Sequence, residues 1–167
     1  MENYVRFFVT FAGNKLRDRM IKFIGEYKAR TDDKGRLVFP SAFKALMESG
    51  HQVRLVVKKD LFSPCLNIYT YEEWERESED IKSRLNFFNP EHALFWRGYM
   101  SGRAVVEPDG KLGRISIPRQ LLDSIGVVKD VIFAGSDHKI ELWAKETYES
   151  SLVDEGTFAA LARKILG

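Results

Sequence analysis

The residues best suited to chemistry are an acid and an arginine that recur around two glycine turns. Asp32 and Arg36 bracket the turn in DDKGRLVFP, and Asp109 and Arg114 bracket the turn in DGKLGRISIP. In both, a glycine precedes the arginine, which allows a positive φ and a tight turn. The arginine then opens a strand beside the N–H groups of the turn. An acid four residues earlier can accept a bidentate pair from the guanidinium and hold it in one rotamer. Two chemistries follow for Arg36. It clamps its own hairpin, or it is a rigid donor presented to an external anion. Residue type alone leaves both open.

The local charge favours the external anion. From Met20 to Asp60 there are nine Lys and Arg against five acids, whereas Tyr71–Arg84 holds six acids against three bases. The whole chain carries only +2, so any anion must be met by a local patch. Lys28 and Arg30 alternate along one strand and can point outward together. With Lys34 and Arg36 they are the candidate contact residues. Asp109, Lys111 and Arg114 form a possible second motif.

Enzymatic chemistry has little to stand on. His51, His92 and His138 fall in a loop, a helix start and a turn, none at metal-ligand spacing from another. No nucleophile elbow, zinc-protease helix or phosphate loop occurs. Cys65 is the single cysteine; it excludes an internal disulfide and a thiolate zinc site, and no activating partner can be named for it. No catalytic residue, metal or cofactor is therefore expected. The lone cysteine points to a reducing compartment, the cytoplasm. No apolar run approaches the roughly 18 residues that span a membrane.

The elements that must position these residues repeat. EYKART, RLVF, VRLVVKK and LNIYT read as strands, with a short helix after Pro40 that Gly50 would close. Thr70 and Glu73 form a capping box for a helix whose apolar stripe is Tyr71, Trp74, Ser78, Ile81 and Leu85, and whose other face is acidic. Asn89–Pro90 opens another helix, through Met100. The order then restarts: RAVVE, a turn, RISI, a short helix from Pro118 to Gly126, and the strands DVIFAG and IELWA around SDHK. A helical tail carries Tyr148, Leu152, Phe158, Leu161 and Ile165. Phe87, Phe88, Phe95, Trp96 and Tyr99 suit core or subunit-interface packing better than base stacking. Two copies are too few for a solenoid and suit a pseudo-twofold unit in which each half completes the other's barrel.

FIGEYKARTDDKGRLVFPSAF, PCLNIYTYEEWE, DGKLGRISIPRQLL and IELW together resemble the MraZ family, bacterial transcriptional regulators of the division and cell-wall gene cluster. The resemblance covers roughly Met20 to Tyr148. The family mark is Asp-x-x-x-Arg, once per half. Asp32 and Arg36 fit it. The second copy departs from it: Asp109 and Arg114 are five apart, with Gly110 at the acid position.

The resemblance implies an α+β fold of two pseudo-repeated, AbrB-like swapped-hairpin halves forming a small β-barrel with flanking helices. It divides the chain into an N-terminal extension (1–19), a first half (20–86), a connecting helix (87–101), a second half (102–148) and a C-terminal helical tail (149–167). Family members begin near Met20, so residues 1–19 read as non-native or poorly ordered. It further implies a closed homo-oligomeric ring on G-rich direct repeats of double-stranded promoter DNA, in the cytoplasm and nucleoid-associated. Lys28, Arg30, Lys34 and Arg36 fall on the DNA-facing element. Arginine matches the O6/N7 edge of guanine, so Arg36 or Arg30 is assigned to bases and the lysines to phosphate. A ring-forming protein scaffold without DNA binding is the alternative, and an enzyme the weaker one.

Overall fold

Apolar residues alternating with polar ones write most of the strands, and the pairing between strands exchanges the two halves. The structure is a computed structural model and describes residues 21–47 and 53–167. Expectations placed on residues 1–19, Met20, Gly50 and His51 lie outside the described residues. The first half contains β1 (Glu26–Arg30), β2 (Arg36–Val38), α1 (Ser41–Leu46), β3 (Leu55–Lys59), β4 (Leu66–Thr70) and α2 (Tyr71–Ser83). Helix α3 (Pro90–Met100) follows. The second half contains β5 (Ala104–Val106), β6 (Arg114–Ser116), α4 (Arg119–Ser124), β7 (Asp130–Ser136), β8 (Lys139–Ala144) and α5 (Lys145–Ser151), and α6 (Glu155–Leu166) ends the chain.

Six strands form one antiparallel sheet in the order β1-β7-β8-β4-β3-β5, and β2 pairs with β6 in a separate ribbon. Exchanging each strand for its counterpart in the other half reverses the sheet order and returns the same sheet, so the unit has a pseudo-twofold axis. The axis passes between Asn67 and Glu141 in the sheet and between Leu37 and Ile115 in the ribbon. Each half lends its first strand to the other: β1 lies on β7, and β5 on β3. The hydrogen-bonded layers are thus an open sheet and a two-stranded ribbon.

The core lies between these layers. Leu37, Phe39, Ile115 and Ile117 face inward from the ribbon side, against Leu55, Leu66, Ile68, Phe133, Ile140 and Leu142 of the sheet. The other face of the sheet is covered by α5 on one side, where Tyr148 meets Ile132, Ala134 and Trp143. On the other side Glu77 of α2 accepts hydrogen bonds from Lys58, Tyr69 and Tyr99, tying α2, α3, β3 and β4 together. Burial pushes Lys58 down, with Glu77 opposing. Burial would raise Glu77, but the donors of Lys58, Tyr99 and Tyr69 outweigh it and hold the carboxyl below its usual range.

Three local expectations change. The capping box is half made: the Thr70 hydroxyl accepts from the Glu73 N–H at 3.2 Å, but the Glu73 carboxylate pairs with Arg76 at 3.3 Å. The SDHK turn shortens to Asp137–His138, because β7 and β8 pair as far as Ser136 and Lys139. The helical tail is two helices. The chain is extended at Leu152, and Asp154 restarts a helix by accepting the Thr157 N–H at 2.7 Å.

Candidate nucleic-acid interface

The first turn is built around one carboxylate. Asp32 Oδ1 accepts the backbone N–H of Lys34 and of Arg36, each at 2.9 Å, and Oδ2 accepts the Arg36 Nε–H at 2.6 Å. The expected bidentate guanidinium pair is therefore replaced by one guanidinium bond and two backbone bonds, because the turn directs its own N–H groups at the carboxylate. The Arg36 backbone N–H leads in holding Asp32 below the usual carboxylate range, slight burial opposes it, and the guanidinium and the Lys34 N–H add to the lowering. Asp32 and the Arg36 guanidinium are thus joined across the turn. The same bond fixes the guanidinium's base while leaving the side chain 43% exposed.

Gly35 makes this turn possible. Its φ is +78°, and a Cβ there would stand 2.6 Å from the carbonyl oxygen of Ile117. That close approach carries a hydrogen bond from the Ile117 N–H to the Gly35 carbonyl at 3.0 Å, docking the first turn on the second half. The pseudo-equivalent bond runs from the Phe39 N–H to the Gly113 carbonyl, also 3.0 Å.

The second turn is closed differently. Asp109 and Arg114 exchange both backbone hydrogen bonds, at 2.7 and 2.8 Å, and among the described residues no ion pair joins their side chains. Gly110 and Gly113 both take positive φ to accommodate the extra residue. Asp109, Lys111 and Arg114 are all exposed.

The ribbon register brings the two arginines together. Arg36 opposes Ser116 and Val38 opposes Arg114, while Leu37 and Ile115 turn inward. Arg36 and Arg114 therefore share the outward face as diagonal neighbours, which in antiparallel pairs stand about 7–8 Å apart. No reading of either turn alone predicts this neighbourhood; the twofold relation of the halves, which sets β2 beside β6, is the signal that could have found it.

Lys28 and Arg30 stand elsewhere. They point outward from β1 on the large sheet, on the face where Glu26 accepts the Tyr148 hydroxyl. Arg30 opposes Asp130 across β1 and β7 and pairs with it at 3.0 Å. Lys34 is exposed at the turn that joins the two surfaces. The four candidate cations thus wrap around the first hairpin instead of lining one flat face.

Other reactive groups stay within the fold. Burial, with Glu141 and Asp60 adding to it, pushes the Cys65 thiol up to about 12, so it stays protonated at neutral pH. His92 Nδ1 accepts the Asn86 N–H at 2.9 Å, capping the approach to α3. Among the described residues no three His, Cys, Asp or Glu side chains gather as metal ligands. No described helix is long and apolar enough to cross a membrane.

Comparison with known proteins bears on this geometry. The family described as MraZ protein and likened to antitoxins matches twice, over residues 22–98 and 100–166. The chain is 38% identical over 147 residues to a transcriptional regulator MraZ of Bacteroides fragilis, covering 88% of this chain and 92% of that one. It is 37% identical over 147 residues to the transcriptional regulator MraZ of Bacteroides thetaiotaomicron, covering 88% and 94%. A Dictyoglomus turgidum protein of the same name is 38% identical over 143 residues, covering 83% and 90%.

Proposed function

The chain belongs to the MraZ family, and on that premise we propose that it is a sequence-specific DNA-binding transcriptional regulator of the division and cell-wall gene cluster. It works as a homo-oligomeric ring on short G-rich direct repeats in its promoter, in the cytoplasm and associated with the nucleoid. The observation that carries this reading is the outward face of the β2–β6 ribbon, where Arg36 is held by Asp32 and Arg114 stands beside it. A guanidinium fixed at one end and open at the other suits the O6/N7 edge of guanine. Lys28 and Lys34 meet phosphate, and Arg30 reads a base or a phosphate after leaving Asp130.

The sheet and ribbon are the two walls of one small AbrB-like barrel, built from halves 20–86 and 102–148. Residues 87–101 connect them and 149–167 form the tail. One subunit offers few cations, so a single hairpin binds weakly and with steep salt dependence. Several hairpins on successive repeats raise the effective concentration of each later contact.

Binding to the DNA upstream of the gene, measured for wild type and Arg36→Ala at two salt concentrations, tests the proposal. The expected result is repeat-specific binding that the mutant loses while its assembly stays intact. Equal binding by both, or none by either, leaves Asp32–Arg36 as a hairpin clamp and moves the function to a protein scaffold.

A further inference from the structure

The C-terminal helix α6 is unfinished within its own chain. None of its twelve residues is buried. Phe158, Leu161 and Ile165 recur at helical spacing on one stripe, and Phe158 and Ile165 are 66% and 74% exposed. A helix of this length is marginal in water without a surface to pack on. Its apolar stripe suits docking on its own subunit or on a neighbour. In the fold no residue of α6 is buried against its own chain.

A receiving surface of matching character lies on the α2–α3 hairpin. Leu94 and Phe95 of α3 are exposed, at 65% and 44%. Gly98 sits one turn beyond Leu94, and a Cβ there would meet nothing within 4 Å. Glycine is among the poorest helix formers, and no contact within the chain requires it here. It leaves an open notch in an apolar helix face, which lets another helix approach closely. On the same hairpin Glu72, Glu75 and Glu79 form an exposed acidic row in α2, and none has an ion pair among the described residues. Helix α6 ends in Arg163 and Lys164, which are exposed and likewise without ion pairs among the described residues. The two surfaces complement each other in apolar stripe and in charge.

We propose that α6 docks in trans, its stripe of Phe158, Leu161 and Ile165 seated over the Gly98 notch of a neighbouring copy and its basic end on that copy's acidic row. Donor and receiver are different surfaces, so the contact is head-to-tail, the kind that closes into a ring when the rotation per subunit permits. This rests on the homo-oligomer reading above and names the contact that would hold it.

The test uses two full-length variants with opposite lesions, measured by sedimentation. Leu161→Glu spoils the donor stripe and Gly98→Leu fills the notch. Both positions are open in the single chain, so circular dichroism and thermal unfolding of the isolated subunit should hold. Each variant alone should weaken assembly on the order of 100-fold. An equimolar mixture should give dimers and nothing larger, because one intact donor and one intact receiver remain. Reversing Arg163→Glu with Lys164→Glu should weaken assembly, and Glu75→Lys with Glu79→Lys should restore it.

If wild type stays monomeric at all concentrations, the assembly reading itself falls. If wild type assembles and Leu161→Glu assembles equally, only the docking inference falls. Assembly lost without pairing in the mixture overturns the Gly98 notch as receiver. A Leu161→Glu chain that unfolds more easily, with assembly unchanged, places α6 against its own chain and overturns docking in trans.

Discussion

The two hairpins share a symmetry axis and a composition, yet they are held by different means. The first adds a side chain to its backbone bonds: one carboxylate gathers two backbone N–H groups and the Arg36 guanidinium, beside the Asp32 N–H to Arg36 carbonyl and Gly35 N–H to Asp32 carbonyl bonds. The second is locked by backbone alone, through the mutual bonds of Asp109 and Arg114. One added residue accounts for the change. At a spacing of four, the turn's N–H groups fall around the carboxylate and acid and arginine share one main-chain bond; at five, they become directly opposed and exchange both. The outward faces diverge in step. Glu26, Lys28 and Arg30 alternate on the first strand, where Arg103, Val105 and Glu107 alternate on the second. A twofold scaffold thus carries two hairpins closed in different ways.

The glycines offer the largest test of that contrast. Gly35→Ala forces a Cβ against the backbone of Ile117 at a positive φ, whereas Gly113→Ala meets only the flexible Lys44 side chain at 3.4 Å. Denaturant unfolding should show Gly35→Ala losing about 3 kcal/mol. Gly113→Ala should lose about 1 kcal/mol, the cost of the left-handed conformation alone. Equal losses would mean that the docking of the first turn on Ile117 carries no special weight.

The arginines come next. Arg36→Ala should reduce discrimination between the repeat and scrambled DNA by about 10- to 100-fold, the worth of one bidentate base contact. Arg114→Ala, beside it but unclamped, should weaken all sequences alike and lower the salt slope by about one. Competition binding across a salt series measures both. The reverse pattern would make the second hairpin the reader and the first the support.

Much of this division was written locally. Alternating apolar residues mark the strands, and the glycine–arginine turns mark the hairpins, because both signals act over a few neighbours. The partner of each strand was not written there. RAVVE carries nothing that says it lies on VRLVVKK and not on its own hairpin partner; only the restart of the element order hints at exchange. The pair of Arg30 with Asp130 and the hold of Glu77 on Lys58 and Tyr99 join residues far apart in the chain. The break in the tail did have a local sign, since Asp154 three residues before Thr157 is an ordinary helix cap, but the apolar residues on either side masked it. Arg36 was legible as a candidate from its turn. Arg114 as its neighbour was legible only through the axis.

The smallest effect concerns protonation, and it separates the hairpins by mechanism. Asp32 sits below the usual carboxylate range when folded, led by the Arg36 N–H. A depressed acid contributes its stabilisation above its unfolded value, near 3.9. That contribution fades as pH falls through the folded value, which lies lower still. Amide exchange at Lys34 and Arg36 should therefore stay slow through the range in which free carboxylates protonate and quicken only below it. The Asp109 and Arg114 amides, bonded to carbonyls that do not titrate, should show no such step. Asp32→Asn should abolish the step in the first hairpin and speed exchange there at neutral pH, with the second hairpin unmoved. A common acid transition in both turns would mean that the carboxylate is incidental, and that the first hairpin, like the second, is held by its backbone.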